Sequence, residues 1–188
     1  MNSVNSPIAL AALQRALGVA KIAPVPRPRG HSRTADKFVI RAYSEMYIEL
    51  DGIGRYQGRS RNSEIQSAVL EALGGWKRTT AELNIYIHHL GKVVSKKILA
   101  EIPDFDISQF GEPDKKDRRN KFVLRFPPNV RDMVRDGIAN KNLDAENMNA
   151  WFVATLVRWI MVQRKLYALL SAAIAIDPDL VIPGYYEP

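Results

Sequence analysis

Two short stretches of the chain alternate polar and apolar side chains. The motif KFVIR begins at Lys37, and the motif KFVLR begins at Lys121. In the first motif, alternation places Phe38 and Ile40 on one face of a strand, and the second motif has Phe and Leu at the same positions. We therefore predict two half-buried strands that each present a Lys–Val–Arg triplet outward. The outward residues are Lys37, Val39, Arg41, Lys121, Val123 and Arg125.

Helical spacing of apolar residues follows the first strand. Ser44 is placed to cap one helix and Ser60 is placed to cap the next, because serine side chains accept hydrogen bonds from the first N–H groups of a helix. The pair Gly74 and Gly75 ends the second helix. These features predict a strand–helix–helix unit over residues 36–75.

The same order follows the second strand. Pro127 and Pro128 suit the first turn of a helix, and Asp144 is placed to cap the next one. Asp144 follows its strand arginine by 19 residues, the same spacing that separates Ser60 from the first strand arginine. The two stretches therefore align without a gap and indicate an internal repeat. We assign the second unit, with extended C-terminal helices, to residues 121–188.

The remaining residues divide into a connector and an N-terminal segment. Residues 76–120 are predicted to be a helical connector with a charged loop, and its helical spacing runs over 81–102. Residues 1–35 are predicted to hold a short helix at 6–20 and then an extended arm, PVPRPRGHSR.

The charge of the protein is concentrated in that N-terminal segment. The formal net charge is +7, and the first 35 residues contain five basic residues and no acidic ones. An arm of this composition either follows a nucleic-acid backbone or is a solvated linker. Its candidate phosphate contacts are Arg27, Arg29 and Arg33.

Composition argues against several kinds of site. The chain has no cysteine, so it offers neither a disulfide nor a thiolate metal site, and its three histidines lack ligand spacing. We find no pair of acidic residues arranged for acid–base chemistry, so we predict no enzyme, no cofactor and no metal. The apolar stretch 151–176 contains Arg158, Arg164 and Lys165, which are costly in a bilayer. We therefore predict a packed core helix and no membrane partner.

The first unit resembles the ribbon-helix-helix domain of the Arc repressor family. The signature of that family joins an alternating strand to a Gly-Arg-Ser-x-Asn-Ser-Glu start of the second helix. The matching residues are Gly58, Arg59, Ser60, Asn62, Ser63 and Glu64. The second unit keeps the strand but has NLDAENM at the corresponding place. The resemblance implies a mainly α fold with a short two-stranded antiparallel β-ribbon.

The resemblance also implies a function. Members of this family insert the ribbon into the major groove of double-stranded DNA, so the outward Lys, Val and Arg side chains are expected to contact bases. Ser60, Asn62 and Ser63 are expected to hold a phosphate at the helix start. Arg59 and Glu64 align with two members of a buried ion-pair cluster of the family, which makes them structural candidates.

Three biological roles follow from this resemblance. The first is a cytoplasmic, nucleoid-associated transcriptional repressor that binds its DNA sequence-specifically. The second is an accessory DNA-processing protein, such as a relaxosome or partition component. The third is an antitoxin-like adaptor whose C-terminal segment, residues 150–188, binds a protein partner.

The two strands can be completed in two ways. A single strand leaves a row of backbone groups unpaired, so each strand needs a partner. Relatives obtain it by homodimerising, whereas this chain can pair its own two strands or self-associate like with like. Because the cost of closing a loop grows only slowly with its length, we predict that the ribbon forms within one chain.

Overall fold

The computed structural model of the protein describes residues 36–110 and 117–177. Their secondary structure is β1 (Asp36–Arg41), α1 (Ser44–Tyr56), α2 (Arg61–Leu73), α3 (Lys77–Leu90), α4 (Lys92–Ala100), β2 (Lys121–Phe126), α5 (Val130–Ala139) and α6 (Met148–Ile176). Two short 3-10 turns, Ile107–Phe110 and Arg118–Asn120, lie between α4 and β2. The predicted mainly α fold with a two-stranded ribbon is confirmed. The predicted helix at 6–20 and the arm at 21–33 lie outside the described residues.

The ribbon is built from β1 and β2 of the same chain. The strands pair antiparallel with Val39 opposite Val123. Because these valines are the centres of KFVIR and KFVLR, the register is symmetric about them. This is the intrachain pairing that the sequence predicts.

The absence of natural cysteines makes the pairing testable. Directly opposite residues in an antiparallel pair have neighbouring Cβ atoms, so the double variant Val39→Cys/Val123→Cys is expected to form a disulfide within one chain. Oxidised protein at low concentration should migrate as a monomer in non-reducing electrophoresis, and one peptide pair should be linked in mass spectrometry. The single variant Val39→Cys is the control. A disulfide dimer of that single variant would mean that like strands pair between chains.

The core lies beneath the ribbon and along α6. Phe152 of α6 is fully buried, and its ring packs against Phe38 of β1 at 4.9 Å and Phe126 of β2 at 5.5 Å between centroids. Helix α6 also contacts α1, α2, α3, α4 and α5. By length and composition alone it is apolar enough to cross a membrane. Part of the helix, including Leu156 and Ile160, is buried against the rest of the fold.

Two predicted helix starts in this part of the fold are wrong. Ser44 is the first residue of α1, and Tyr43 occupies the cap position without a side-chain hydrogen bond. Pro127 and Pro128 precede α5 and do not form its first turn, because Asn129 intervenes with a left-handed φ of 69°. A proline disfavours helical geometry in the residue before it, which keeps Pro127 out of a helix that would include Pro128.

The predicted cap at Asp144 is also wrong. Helix α6 begins three residues later, where the side chain of Asn147 accepts the N–H of Ala150 at 3.0 Å. Residues 57–60 join α1 to α2, whereas residues 140–147 join α5 to α6. Asn147 therefore takes the place of Ser60, and the two strand–helix–helix segments align only with a three-residue gap.

The connector contains two helices where the sequence predicts one over 81–102. The helix breaks at Gly91, whose φ of +78° is accessible to glycine at no steric cost. Helix α3 begins earlier than predicted, at Lys77, and α4 follows the break. Both helices pack against α6, where Leu90 meets Leu169 and Ala173 in a second small core.

Candidate nucleic-acid interface

The outward face of the ribbon carries four exposed cations around a valine pair. Lys37 lies opposite Arg125, and Arg41 lies opposite Lys121. Val123, at the centre, is 51% exposed. None of the four cations forms an ion pair within residues 36–110 and 117–177. Like charges directly opposite each other destabilise a ribbon, so a bound anionic partner would relieve a cost that the fold bears alone.

Two asparagines, each near the start of a helix, form hydrogen bonds to the backbone at the two ends of the ribbon. The side chain of Asn62 accepts the N–H of Arg125 at 2.9 Å and donates to its carbonyl at 3.4 Å. The side chain of Asn149 does the same to Arg41, at 2.8 Å and 2.9 Å. The start of α2 therefore lies beside one end of the ribbon and the start of α6 beside the other.

The start of α2 has the features of an anion site. Ser60 caps the helix by accepting the N–H of Ser63 at 3.3 Å, and the two hydroxyl oxygens lie 3.1 Å apart. Both serines are exposed. The N–H groups at the first positions of a helix have no acceptor within the helix and carry the positive end of its dipole. An anion that approaches beside Arg125 would meet these groups.

The start of α6 differs in charge from the predicted arrangement. The sequence predicts the acidic Asp144 as the cap, whereas the structure has the neutral Asn147 there and leaves Asp144 and Glu146 outside the helix. Both carboxylates are exposed and precede the cap. They still make this end of the ribbon less favourable for an anion than the end beside Ser60.

The basic residue at the α2 start is already engaged inside the protein. Arg61 donates two hydrogen bonds to the carboxylate of Asp51, one of them at 2.8 Å. Its guanidinium also lies 5.4 Å from the ring centroid of Tyr47 and 5.3 Å from that of Phe122. Burial raises the pKa of Tyr47, whose hydroxyl donates to the carbonyl of Ile40 at 3.0 Å. Arg61 and Tyr47 therefore support the inner face of the ribbon, through the ring of Phe122 and the carbonyl of Ile40.

A buried ion pair supports the same helix start. Glu64 is fully buried, and its carboxylate lies 2.9 Å from Nε of Arg59. Trp159 of α6 donates to the other carboxylate oxygen at 2.7 Å. The loop that carries Arg59 passes so close to Gly54 that a Cβ there would lie 2.8 Å from the Arg59 carbonyl. The structural role predicted for Arg59 and Glu64 is confirmed.

The structure brings together most of the residues expected to contact DNA. The six outward strand residues form one surface, and Ser60 and Ser63 lie at one end of it. The amide of Asn62 is used to hold the strand, so its predicted contact with phosphate stays a prediction. The candidate arm residues Arg27, Arg29 and Arg33 lie outside the described residues.

Sequence reasoning missed Asn149 and Trp159. The signal for Asn149 is its position two residues after its cap, which matches Asn62, but it becomes visible only once the caps are aligned. No local signal identifies Trp159, because its partner Glu64 lies 95 residues away.

The comparisons with known proteins agree with this geometry. A family model described as an Arc-like DNA-binding domain matches residues 32–76. The match includes β1, α1 and α2, and ends before α3. No curated protein and no solved structure matches the chain.

Proposed function

We propose that the chain, whose residues 32–76 match an Arc-like DNA-binding domain of the ribbon-helix-helix type, reads double-stranded DNA as a single-chain pseudo-dimer. In this proposal, β2, α5 and α6 supply the half that relatives obtain from a second subunit. The observation that carries it is the symmetric outward face, with its valine pair and four cations without ion-pair partners among the described residues. A two-stranded ribbon fits the major groove, where arginine reaches guanine and valine packs against a thymine methyl group.

The helix starts are proposed to position the ribbon. Contacts to phosphate fix the register of a protein on DNA, whereas contacts to base edges specify the sequence. The starts of α2 and α6 lie beside opposite ends of the ribbon, through Asn62 and Asn149. Each start can therefore face the phosphate backbone on one side of the groove, and Ser60 makes the α2 side the stronger contact.

We infer that the biological role is repression of transcription in the cytoplasm, by occupation of DNA that the polymerase needs. The test begins with selection of bound duplexes from a random pool. The selected site is then placed over a promoter in a reporter strain that expresses the protein. Repression is the expected result. Selective binding without repression would favour the accessory role in DNA processing.

If the ribbon reads bases, removal of either outward arginine should weaken and broaden DNA recognition. Replacement of Arg41 or Arg125 by alanine should weaken binding to the selected site by about 1–3 kcal/mol and relax the preference for one base pair. Fluorescence anisotropy at fixed salt measures both effects. Arg135→Ala is the charge-matched control, because Arg135 is exposed on α5 and pairs with Asp132 and Asp136. Unchanged affinity in both ribbon variants would remove the ribbon from the proposal.

The N-terminal arm leads to a prediction about how DNA affinity depends on salt concentration. If residues 21–33 follow phosphates, replacing them with a Gly–Ser linker of equal length should weaken selected and random sites alike. The slope of log affinity against log salt should become shallower by roughly 0.9 for each lost contact. A slope equal to that of the natural protein would mean that the arm is a tether.

A further inference from the structure

A cleft of about 470 Å³ opens between the Arc-like domain and the helices added to it. Gln57 and Arg59 line it from the α1–α2 loop, Arg78 and Ile85 from α3, and Gln163 from α6. Its volume is in the range of small-molecule sites, which lie preferentially where two substructures meet. Neither the ribbon nor the helix starts described above use this cleft.

The cleft offers donors that the protein does not satisfy. Gln163 is only 5% exposed, and its carbonyl oxygen accepts a hydrogen bond from the Gln57 amide at 2.9 Å. Its own N–H₂ group donates to no group in the described part of the chain. Because this group is not among the fully buried atoms that lack a partner, it is open to the cleft and available to an acceptor on a ligand.

Two guanidinium groups add further donors. Arg59 binds Glu64 and Arg78 binds Glu71, each through Nε. Arg59 also donates to the Ser67 hydroxyl through Nη1 at 3.2 Å, but a guanidinium has five N–H donors, so each arginine retains donors for a ligand. The donors around the cleft therefore favour a ligand with an anionic acceptor group.

The walls suit a flat apolar body. The cleft is lined by the indole of Trp159, the ring of Tyr167, and the aliphatic side chains of Ile85, Leu166 and Leu170. Glu82, also in the lining, disfavours a ligand with more than one negative charge. We propose that the cleft binds a small planar aromatic monocarboxylate, with its carboxylate toward Gln163 and Arg78 and its ring against Trp159.

The position of the cleft connects such a ligand to the DNA surface. Gln57 and Arg59 belong to the loop that ends at Ser60, the cap of α2. A ligand that binds this loop changes the free energy of the helix start that is proposed to face phosphate. This consequence, and not the ligand site itself, rests on the proposed DNA binding.

The site is tested without DNA. Isothermal titration calorimetry of the full chain with 1-naphthoate should give saturable 1:1 binding, and the neutral 1-naphthalenemethanol should bind at least tenfold more weakly. Gln163→Leu should weaken naphthoate binding roughly tenfold to a hundredfold, because a hydrogen bond to a charged group is lost. No saturable heat with millimolar naphthoate, or equal binding of acid and alcohol, would overturn the site.

A second pair of variants guards against loss of folding in Gln163→Leu. Ile85→Trp fills the cleft from its rim and should abolish binding, whereas Ile174→Trp adds the same ring at an exposed site outside the cleft and should not. Thermal melts establish that both variants fold. Naphthoate binding that survives Ile85→Trp in a folded protein would place the ligand elsewhere and overturn the proposal.

The connection to DNA is tested separately. Saturating naphthoate should shift the affinity for the selected duplex at least threefold in the natural protein and leave it unchanged in Ile85→Trp. Calorimetric binding with no shift in DNA affinity would overturn the connection. Failure of all duplex binding would instead count against the proposed function, because the calorimetry does not depend on it.

Discussion

Replacement of Phe152 by alanine is expected to destabilise the fold by about 3–5 kcal/mol, a large part of the roughly 5–15 kcal/mol that holds a domain together. Phe152 is fully buried beneath the ribbon. Its ring touches one aromatic residue from each strand, Phe38 and Phe126. Truncation therefore leaves a cavity under both strands. Neither strand can move to fill it without breaking its hydrogen bonds to the other strand. Urea denaturation followed by circular dichroism measures the loss.

The control for Phe152 is on the same helix. Ile174→Ala removes a side chain that is 50% exposed, and it should change the free energy of unfolding by well under half as much. If Phe152→Ala behaved like Ile174→Ala, the ribbon would not depend on α6 for its support. The second strand–helix–helix segment would then be an appendage of the first and not its partner.

Replacement of Glu64 by alanine is expected to cost about 3 kcal/mol. The change removes the carboxylate that pairs with Arg59 and accepts from Trp159, so a charge and a buried indole N–H both lose their partner. The side chain of Arg59 keeps 31% of its exposure, so water offsets part of the loss. The free energy of unfolding from urea titration at neutral pH is the measurement.

Two further variants separate the contributions of charge and hydrogen bonding. Glu64→Gln keeps an acceptor for Trp159 and should lose less stability than Glu64→Ala. Glu49→Ala removes a carboxylate that pairs with Arg164 in a partly exposed position, and it should cost less than Glu64→Ala because water reaches both partners. Equal losses in Glu64→Ala and Glu49→Ala would contradict a structural role for the buried pair.

The ribbon could be predicted from the sequence because its pattern is local. Alternation with a period of two is specific to a half-buried strand, and both strands lie where the two motifs predict them. The cap at Ser60 was also predictable, since the serine directly precedes the helix and its hydroxyl reaches the N–H of Ser63. These features depend on residues that are neighbours in sequence.

The second helix start could not be predicted in the same way. Equal spacing from the strand pointed to Asp144, whereas the longer loop carries Leu143 over Gly137, so that Leu143 lies against the end of α5. Because that loop packs on α5, the helix begins only at Met148. The spacing between candidate caps carries no information about such packing. The same limit applies to the cleft, whose walls come from three separate elements.

Because both ribbon strands belong to one polypeptide, its two halves can change in sequence independently, which the identical subunits of a homodimer cannot do. In a symmetric dimer every substitution appears twice, once in each half-site, so the protein and a palindromic operator can change only together. Here Arg41 and Arg125 are encoded separately, as are Ser60 and Asn147. Under the proposed function, one half can therefore keep its base preference while the other acquires a new one, so single mutations would lead to an asymmetric DNA site.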